Sequence, residues 1–388
     1  MKSPRNQSQR RDFAGAPRDR PFGEIGAAVV GPGFIGAVHV EALRRLGVQV
    51  HGVVGSRFER ADARARELGL PPAYESFQAM LDDPRVDVVH VTSPNRFHHE
   101  HAAAALEAGK HVVCEKPLAV TSAESADLLR VAEQSGRVHA VNFNLRFYPV
   151  VQHLRGLVAE GALGDVRLAS GHYLQDWLLD EGDWNWRVDP TVGGALRAVG
   201  DIGSHWMDLT SFATGRRITS VMADLATFMK SRRGRAVETE DAATILLRYE
   251  GGLRGALAVS QVSAGRKNSL VFELDGSKEA AAWNSERPDE LWIGHRGRPN
   301  EVLLRDLTLL DEQARRSTWL PGGHAEGFAE TFKALYAAVY RAVAGGSPAD
   351  GYPTFADGHD SMLVLDAVAR SSREGRWIEV DRAVRVAR

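Results

Sequence analysis

Apolar residues recur along this chain with two different rhythms, and the change falls near residue 144. Before it, short runs that are almost wholly apolar alternate with longer stretches whose apolar positions return every three or four residues, the period of a helix with one buried face. Ile25–Val30, Val48–Val54, Val86–Val91, His111–Cys114 and Val138–Phe143 read as strands, and their nearly continuous apolar character suits parallel strands covered on both faces. Ala37–Leu46, Arg57–Leu68, Ser76–Leu81, Arg96–Ala108 and Thr121–Ser135 read as the helices between them. Leu70-Pro71-Pro72 and Gly109 end two of these helices, and Thr121 with Glu124 forms a capping box at the start of a third. Regular strand–helix alternation predicts a doubly wound parallel sheet with right-handed crossovers.

Beyond residue 144 the strands follow one another through tight turns. Pro149–Glu160 reads as a helix stopped by Gly161. Val166–Gln175, Thr219–Phe228, Ala242–Tyr249, Leu253–Val262, Leu270–Leu274, Ala280–Asn284 and Trp377–Val380 read as strands. Glu250-Gly251-Gly252 and Asp275-Gly276 mark hairpins. This pattern predicts an α+β domain over residues 145–388, with a large, mostly antiparallel open sheet. Two later helices, His324–Ala344 and Phe355–Ser371, are expected to cover one of its faces. Residues 1–24 are polar, rich in arginine and without period, and read as a disordered tail.

Composition narrows the class. At 388 residues the chain can bury two cores. A formal net charge of −2 gives no basic excess for nucleic acid or a membrane surface. No run reaches the roughly 18 apolar residues of a membrane span. The single cysteine, Cys114, excludes a disulfide framework and a cysteine zinc site, and fits a cytoplasmic location. Arg10-Arg11-Asp12-Phe13 looks like a twin-arginine signal, but no apolar segment follows it.

The sharpest chemical signal lies between the first strand and the first helix. Gly31-Pro32-Gly33-Phe34-Ile35-Gly36 is a G-x-G-x-x-G loop in the context that gives the pattern meaning. Its glycines allow a tight turn, close approach to a pyrophosphate and close helix–strand packing, and the helix N-terminus offers free N–H groups to the phosphates. The stretch from residue 25 to 144 is therefore read as a Rossmann dinucleotide-binding domain. A unit built for NAD carries an acid about 20 residues past the glycines, to bond the ribose hydroxyls. Here that position reads Gly55-Ser56-Arg57, with Arg60 one turn on. Ser56, Arg57 and Arg60 suit a 2′-phosphate, so NADP is preferred and NAD is the alternative. Ser93, Pro94, Asn95 and His98 follow the third strand and are candidates to line the cofactor.

G-P-G-F-I-G, then Thr92-Ser93-Pro94-Asn95 with His98, then Glu115-Lys116-Pro117, each at a strand end and in this order, resemble the glucose–fructose oxidoreductase/inositol dehydrogenase (Gfo/Idh/MocA) family. The resemblance runs from about residue 25 to the C-terminus. It implies an NAD(P)-dependent oxidoreductase, with Lys116 beside nicotinamide and substrate, Pro117 in the position of an often cis proline, and Glu115 at the cofactor. It also implies dimers or tetramers built through the open face of the second sheet. Independently of the family, a lysine at the carboxyl end of a strand can bond both a substrate hydroxyl and a cofactor ribose.

Gly200-Asp201-Ile202-Gly203-Ser204-His205 begins a further helix, with Asp201 at or near its N-cap. Asp201 and His205 are four apart and share a face, so the carboxylate can orient the imidazole and hold its pKa near neutrality for proton transfer. The resemblance places an aspartate and a histidine at these positions. Lys116, Asp201 and His205 form the proposed relay, with His205 as base in oxidation or acid in reduction. Trp177, Asp183, Trp184 and Trp186 have the composition of a carbohydrate pocket, aromatic faces beside groups that bond hydroxyls, and Arg146 is a weaker candidate at the domain crossing. His98, His99 and His101 have no partner set for a metal, and none is expected. The substrate class is a sugar, glycoside or cyclic polyol. A cofactor-binding regulator and a redox-neutral NAD-dependent glycosidase share the same fold, as does a reductase for less polar substrates, which the Trp/Asp/Asn run disfavours.

Overall fold

The computed structural model describes residues 20–345 and 351–382. Strands β1 (Gly26–Val30), β2 (Gln49–Val54), β3 (Val88–Val91), β4 (His111–Cys114) and β5 (His139–Val141) form an all-parallel sheet in the order β2-β1-β3-β4-β5. They are joined by α1 (Phe34–Arg45), α2 (Phe58–Glu67), α3 (Phe77–Leu81), α4 (His98–Glu107) and α5 (Ser122–Ser135). Thr121 caps α5 by accepting the Glu124 N–H, and Glu124 reaches back to the Val120 N–H. The chain runs out from β1 to β2 and then crosses back to β3. This reversal opens a crevice at the carboxyl ends of β1 and β3, the place where an α/β sheet takes its ligand.

The second half contributes α6 (Pro149–Ala159), β6 (Val166–Leu174), α7 (Pro190–Gly193), α8 (Ser204–Thr214) and β7 (Ile218–Ala226). A small hairpin follows, β8 (Ser231–Arg232) and β9 (Arg235–Ala236). Then come β10 (Ala242–Tyr249), β11 (Arg254–Ser260), β12 (Ser269–Gly276), β13 (Ala280–Asn284), β14 (Glu290–Gly294) and β15 (Glu301–Leu304). Helices α9 (Glu312–Arg316), α10 (Phe328–Val343) and α11 (Phe355–Glu374) and strand β16 (Ile378–Glu379) complete it. Nine strands form one sheet in the order β15-β14-β13-β12-β6-β11-β10-β7-β16, antiparallel except where β6 meets β11. The sequence pattern passes over β14 and β15. β15 lies at the sheet edge with Val302 and Leu304 exposed, so burial gives it no two-residue alternation to read.

The two late helices do not act as a pair over this sheet. α11 packs on β7 and on α5, whereas α10 packs on α1. Phe332, Leu335, Tyr336, Val339 and Tyr340 of α10 bury against Ile25, Ala27, Val88 and Val113 of the parallel sheet. The chain's second half thus covers a face of its first. The tail read over residues 1–24 also ends earlier. Phe22–Glu24 is one turn of 3₁₀ helix, and the Phe22 ring meets Tyr340 edge-on at 6.1 Å. Arg10 to Phe13 lie outside the described residues. Among the described residues no helix is long and apolar enough to cross a membrane.

Between α7 and α8 the chain depends on fully buried charges. Asp241 accepts from Arg197 and from Arg232, the latter at 3.0 Å, and its second oxygen accepts the Met229 N–H at 2.7 Å. All three side chains are without solvent exposure. Removing one member leaves the others charged and desolvated. Asp241→Asn is expected to cost about 3–5 kcal/mol, read as a lower midpoint in denaturant unfolding; a loss below about 1 kcal/mol would mean that the cluster relaxes or hydrates on losing the charge.

Candidate active site

The glycine loop closes one side of a cleft of about 600 Å³ at the β1/β3 crevice. Gly31 has φ +92°, and a Cβ there would meet the Ser93 amide nitrogen at 2.7 Å. A Cβ on Gly36 would meet the Gly31 carbonyl oxygen at 2.5 Å, while one on Gly33 would meet nothing within 4 Å. The loop is therefore tight where helix and strand pack and open at Gly33, the shape a pyrophosphate requires. Ser56, Arg57, Arg60, Ser93 and Pro94 line the same cleft. So do His101, Arg64, Phe77 and Phe97, which sequence reasoning left out of the site. His101 lies one turn beyond His98, with its ring over Phe97 and Nδ1 3.0 Å from the Ser93 hydroxyl.

Four candidates near the loop play other parts. The Phe34 side chain is exposed outside the cleft lining, and Ile35 packs into the core below α1; each can offer only its backbone N–H. His98 is buried, with Nδ1 2.8 Å from the Pro117 carbonyl and Nε2 2.8 Å from the Ser93 carbonyl. It ties the β3 loop to the Lys116–Pro117 peptide, which is cis, and does not line the cleft. Asn95 is buried and donates to the Gly193 carbonyl, docking α7 onto the first half.

Lys116, at the end of β4, donates to the carbonyl of Asp201 and, at 3.1 Å, to its Oδ1. Arg187 Nε bonds the same oxygen at 3.0 Å, and Gln261 Nε2 bonds Oδ2 at 2.9 Å. Burial acts to raise the Asp201 pKa, but the charges of Arg187 and Lys116 outweigh it and hold the carboxyl well below the usual carboxylate range. Asp201 is not an N-cap. It sits inside a π turn, Val199–Gly203, that runs straight into α8. The buried Glu240 carboxylate takes the N–H groups of Arg197 and Val199, the capping role expected of Asp201. The wider π turn also moves Asp201 out of register with His205, and no hydrogen bond joins the two.

His205 is buried, with its ring 6.0 Å from Phe143 and 6.4 Å from Tyr173. Its Nδ1 has no partner. Burial and the charge of Lys116 push its pKa down to about 3, although Glu115 and Asp201 pull the other way. The near-neutral pKa expected from an Asp201–His205 pair is therefore not found. Glu115 is buried beneath Lys116; one oxygen accepts from Asn142 and lies 3.1 Å from His39, and the other accepts the Lys116 N–H at 3.2 Å.

The tryptophan-rich run divides. Trp186 lines the glycine-loop cleft, with the Arg187 guanidinium 4.3 Å over its ring. Trp184 packs on Leu178, Val188 and Val237 in a separate small core. Asp183 accepts the Asp180 N–H within its own turn, and Trp177 is part-exposed and donates to Gln175. Arg146 is buried behind Phe143, where it bonds Asp208 and Asp357 and lines a different cavity of about 550 Å³. Of the expected carbohydrate contacts beyond the relay, only Trp186 borders the cleft. Arg187 carried a legible signal, adjacent to it in the same run; Gln261 and Asn142 did not, since only strand pairing brings them in.

A parallel sheet with this loop at its topological switch point is the fold of a dinucleotide-binding domain, and the likeness to known proteins makes the class an oxidoreductase. The description "Oxidoreductase family, NAD-binding Rossmann fold" matches residues 25–143, and "GFO/IDH/MocA C-terminal domain" matches residues 151–282. Levoglucosan dehydrogenase of Pseudarthrobacter phenanthrenivorans is 29% identical over 388 aligned residues, 92% of this chain and 98% of its own. A solved levoglucosan dehydrogenase with NADH and levoglucosan superposes with a TM-score of 0.86, at 29% identity, over 92% of this chain and 100% of that one. An inositol dehydrogenase homologue from Azotobacter vinelandii, solved with NAD+, gives 0.85 at 28% identity, over 92% and 97%. An oxidoreductase domain protein from Kribbella flavida gives 0.85 at 34% identity, over 92% and 100%. The chain belongs to the Gfo/Idh/MocA oxidoreductase family.

His205 sets a pH dependence. Its folded pKa, about 3, lies below its ordinary 6.5, so below pH 6.5 the unfolded chain binds a proton that the folded chain refuses. Stability from this group is complete above pH 6.5 and falls as pH drops toward 3. His205→Gln is expected to flatten the decline in melting temperature between these limits; an unchanged slope would mean that His205 titrates normally in the folded protein.

Proposed function

We propose that this protein is an NAD(P)-dependent dehydrogenase that oxidises a secondary hydroxyl of a sugar, glycoside or cyclic polyol, or reduces the matching carbonyl. The observation that carries this is that Lys116 bonds Asp201 across 85 residues of chain, with His205 near enough to feel both charges; none of the three lines the glycine-loop cleft, but Arg187 links Asp201 to Trp186, which does. Gly31, Gly33 and the N-terminus of α1 would hold a dinucleotide through its pyrophosphate, and such a coenzyme would supply the hydride acceptor for the alcohol or the donor for the carbonyl. Lys116 donates to the reacting oxygen and favours its alkoxide-like form. Asp201, fixed by three donors, accepts from a neighbouring hydroxyl. His205 enters oxidation neutral and takes the hydroxyl proton. The charge of Lys116 that weakens this base also makes the hydroxyl a stronger acid, so the two effects offset across the same pair. Sugars and cyclic polyols fit because Asp201 is surrounded by fixed polar groups with the aromatic face of Trp186 next to Arg187, and because a levoglucosan dehydrogenase of the same family was solved with levoglucosan.

The NADP preference rests on this chain's own cleft. No carboxylate stands among its lining residues, whereas Arg57 and Arg60 line it with guanidinium groups that make no ion pair or hydrogen bond among the described residues. Two such guanidinium groups suit a 2′-phosphate, although the levoglucosan and inositol dehydrogenase neighbours were solved with NADH or NAD+. Assembly into a homodimer or tetramer belongs to the same reading. The open face of the nine-stranded sheet exposes Leu168 and Leu246 around a shallow depression lined by Ala256 and Ala258. A cytoplasmic location, where Cys114 stays reduced, completes it. A regulator that binds coenzyme without turnover, or a glycosidase with no net coenzyme reduction, would differ by silence in the assay below.

Coenzyme reduction, followed by near-ultraviolet absorbance across sugars, glycosides and inositols, is expected with at least one substrate. Lys116→Ala and His205→Ala should each lower turnover at least about 100-fold with the fold intact; near-normal rates would remove them from the relay. Arg57→Ala should weaken NADP binding about 10- to 100-fold and NAD binding little. Equal losses for both coenzymes would place Arg57 away from the 2′-phosphate.

A further inference from the structure

Behind Lys116 lies a second buried chain of polar groups that the proposed reaction does not use. His39 of α1 and His90 of β3 are both 0% exposed, in a core otherwise made of Ile25, Val88, Phe332 and Tyr336. His39 Nε2 lies 3.1 Å from Glu115 Oε1, His39 Nδ1 lies 3.0 Å from His90 Nδ1, and His90 Nε2 lies 3.0 Å from the Tyr340 hydroxyl. We propose that Tyr340, His90 and His39 form a one-way hydrogen-bond chain that fixes the Glu115 carboxylate and so positions Lys116 against Asp201.

The direction follows from donor chemistry. An ionised carboxylate only accepts, so His39 must carry its proton on Nε2. A neutral His39 then has a bare Nδ1, so His90 must donate from its own Nδ1. That leaves His90 Nε2 bare, and Tyr340 must donate to it. Each ring nitrogen is satisfied, with the two histidines in opposite tautomers. The surroundings agree with this assignment. Burial keeps His90 neutral and the Tyr340 hydroxyl protonated. Against Glu115, burial raises the pKa, but His39, Lys116 and Asn142 together bring it below the ordinary value.

At the far end, Glu115 Oε2 accepts the Lys116 N–H at 3.2 Å. Fixing one carboxylate therefore fixes the backbone from which the lysine reaches Asp201. The same arrangement, in which an outer partner sets a histidine's tautomer and orientation, is used around metal ligands. Here α10 supplies the outer partner, so the second half of the chain reaches Lys116 both from the front, through Asp201, and from behind. His39 and His90 are positioning residues, and the inference rests on the proposed role of Lys116.

Two measurements on the full chain test it without a substrate, so a silent coenzyme assay leaves both intact. In ¹⁵N-histidine-labelled protein, His39 should show a proton on Nε2 and His90 a proton on Nδ1. The same tautomer in both rings, or an imidazolium at either, overturns the chain. Hydrogen exchange of the peptide covering residues 112–118 tests the consequence. His39→Leu should speed exchange of the Lys116 amide about 10-fold, and His39→Gln, whose amide can donate to Glu115, should restore a near wild-type rate. An unchanged Lys116 rate in His39→Leu, or an equal rise in the peptides of β1 and β3, overturns the positioning role. Should His39→Leu fail to fold, His90→Leu carries the same comparison one link further back.

Discussion

The Lys116–Asp201 ion pair is the contact on which the rest of the structure converges. It joins the end of a parallel strand in the first half to a π turn in the second, with side chains 9% and 14% exposed. Charges so poorly hydrated persist only when their remaining hydrogen-bonding capacity is filled. Arg187 and Gln261 complete Asp201, and the Lys116 backbone is held by Glu115. The π turn itself is held by Glu240, beside the buried Arg197–Asp241–Arg232 cluster. Successive layers of buried polar groups thus lead outward from one ion pair.

This arrangement gives a physical reason for burying so much charge beside a site that we propose takes a neutral polyol. A preorganised site cannot let its groups reorient in water, and fixed groups in low dielectric act more strongly on a developing charge. The cost appears in His205, whose burial beside Lys116 makes its protonated form unfavourable. Asp208, behind the site, shows the same stress. Burial raises its pKa to about 6 despite the Arg146 guanidinium beside it. The fold keeps such groups because the nine-stranded sheet and α8 form a rigid apolar support, with Trp206 fully buried and bonded to the Val271 carbonyl.

Much of this was legible in the sequence, for identifiable reasons. Strands β1 to β4 are apolar runs ended by glycine, proline or charge, and a short-period signal of that kind survives without tertiary knowledge. The glycine loop was legible because it has a local geometric signature, whereas Lys116, Asp201 and His205 were read through the likeness of their motifs to the family, and the N-cap expected of Asp201 is a π turn instead. Trp184 and Arg146 misled, because aromatic and arginine side chains serve a core or an ion pair as readily as a ligand, and composition does not say which way they point. His98 misled similarly: its place in the chain was read correctly, but both ring nitrogens turned inward to carbonyls.

By itself, the sequence determined the elements, the loop that suits a dinucleotide and the residue types available for proton transfer, because these depend on spacing of a few residues along one strand or helix. Tertiary structure alone decided where α10 goes, which side chain caps the π turn, what surrounds Asp201 and what stands behind Glu115. Those contacts join residues far apart in the chain, 250 in the case of His90 and Tyr340, and no local period encodes them. They also set the protonation of His205, since a pKa answers to burial and neighbouring charge, which exist only once the chain has folded.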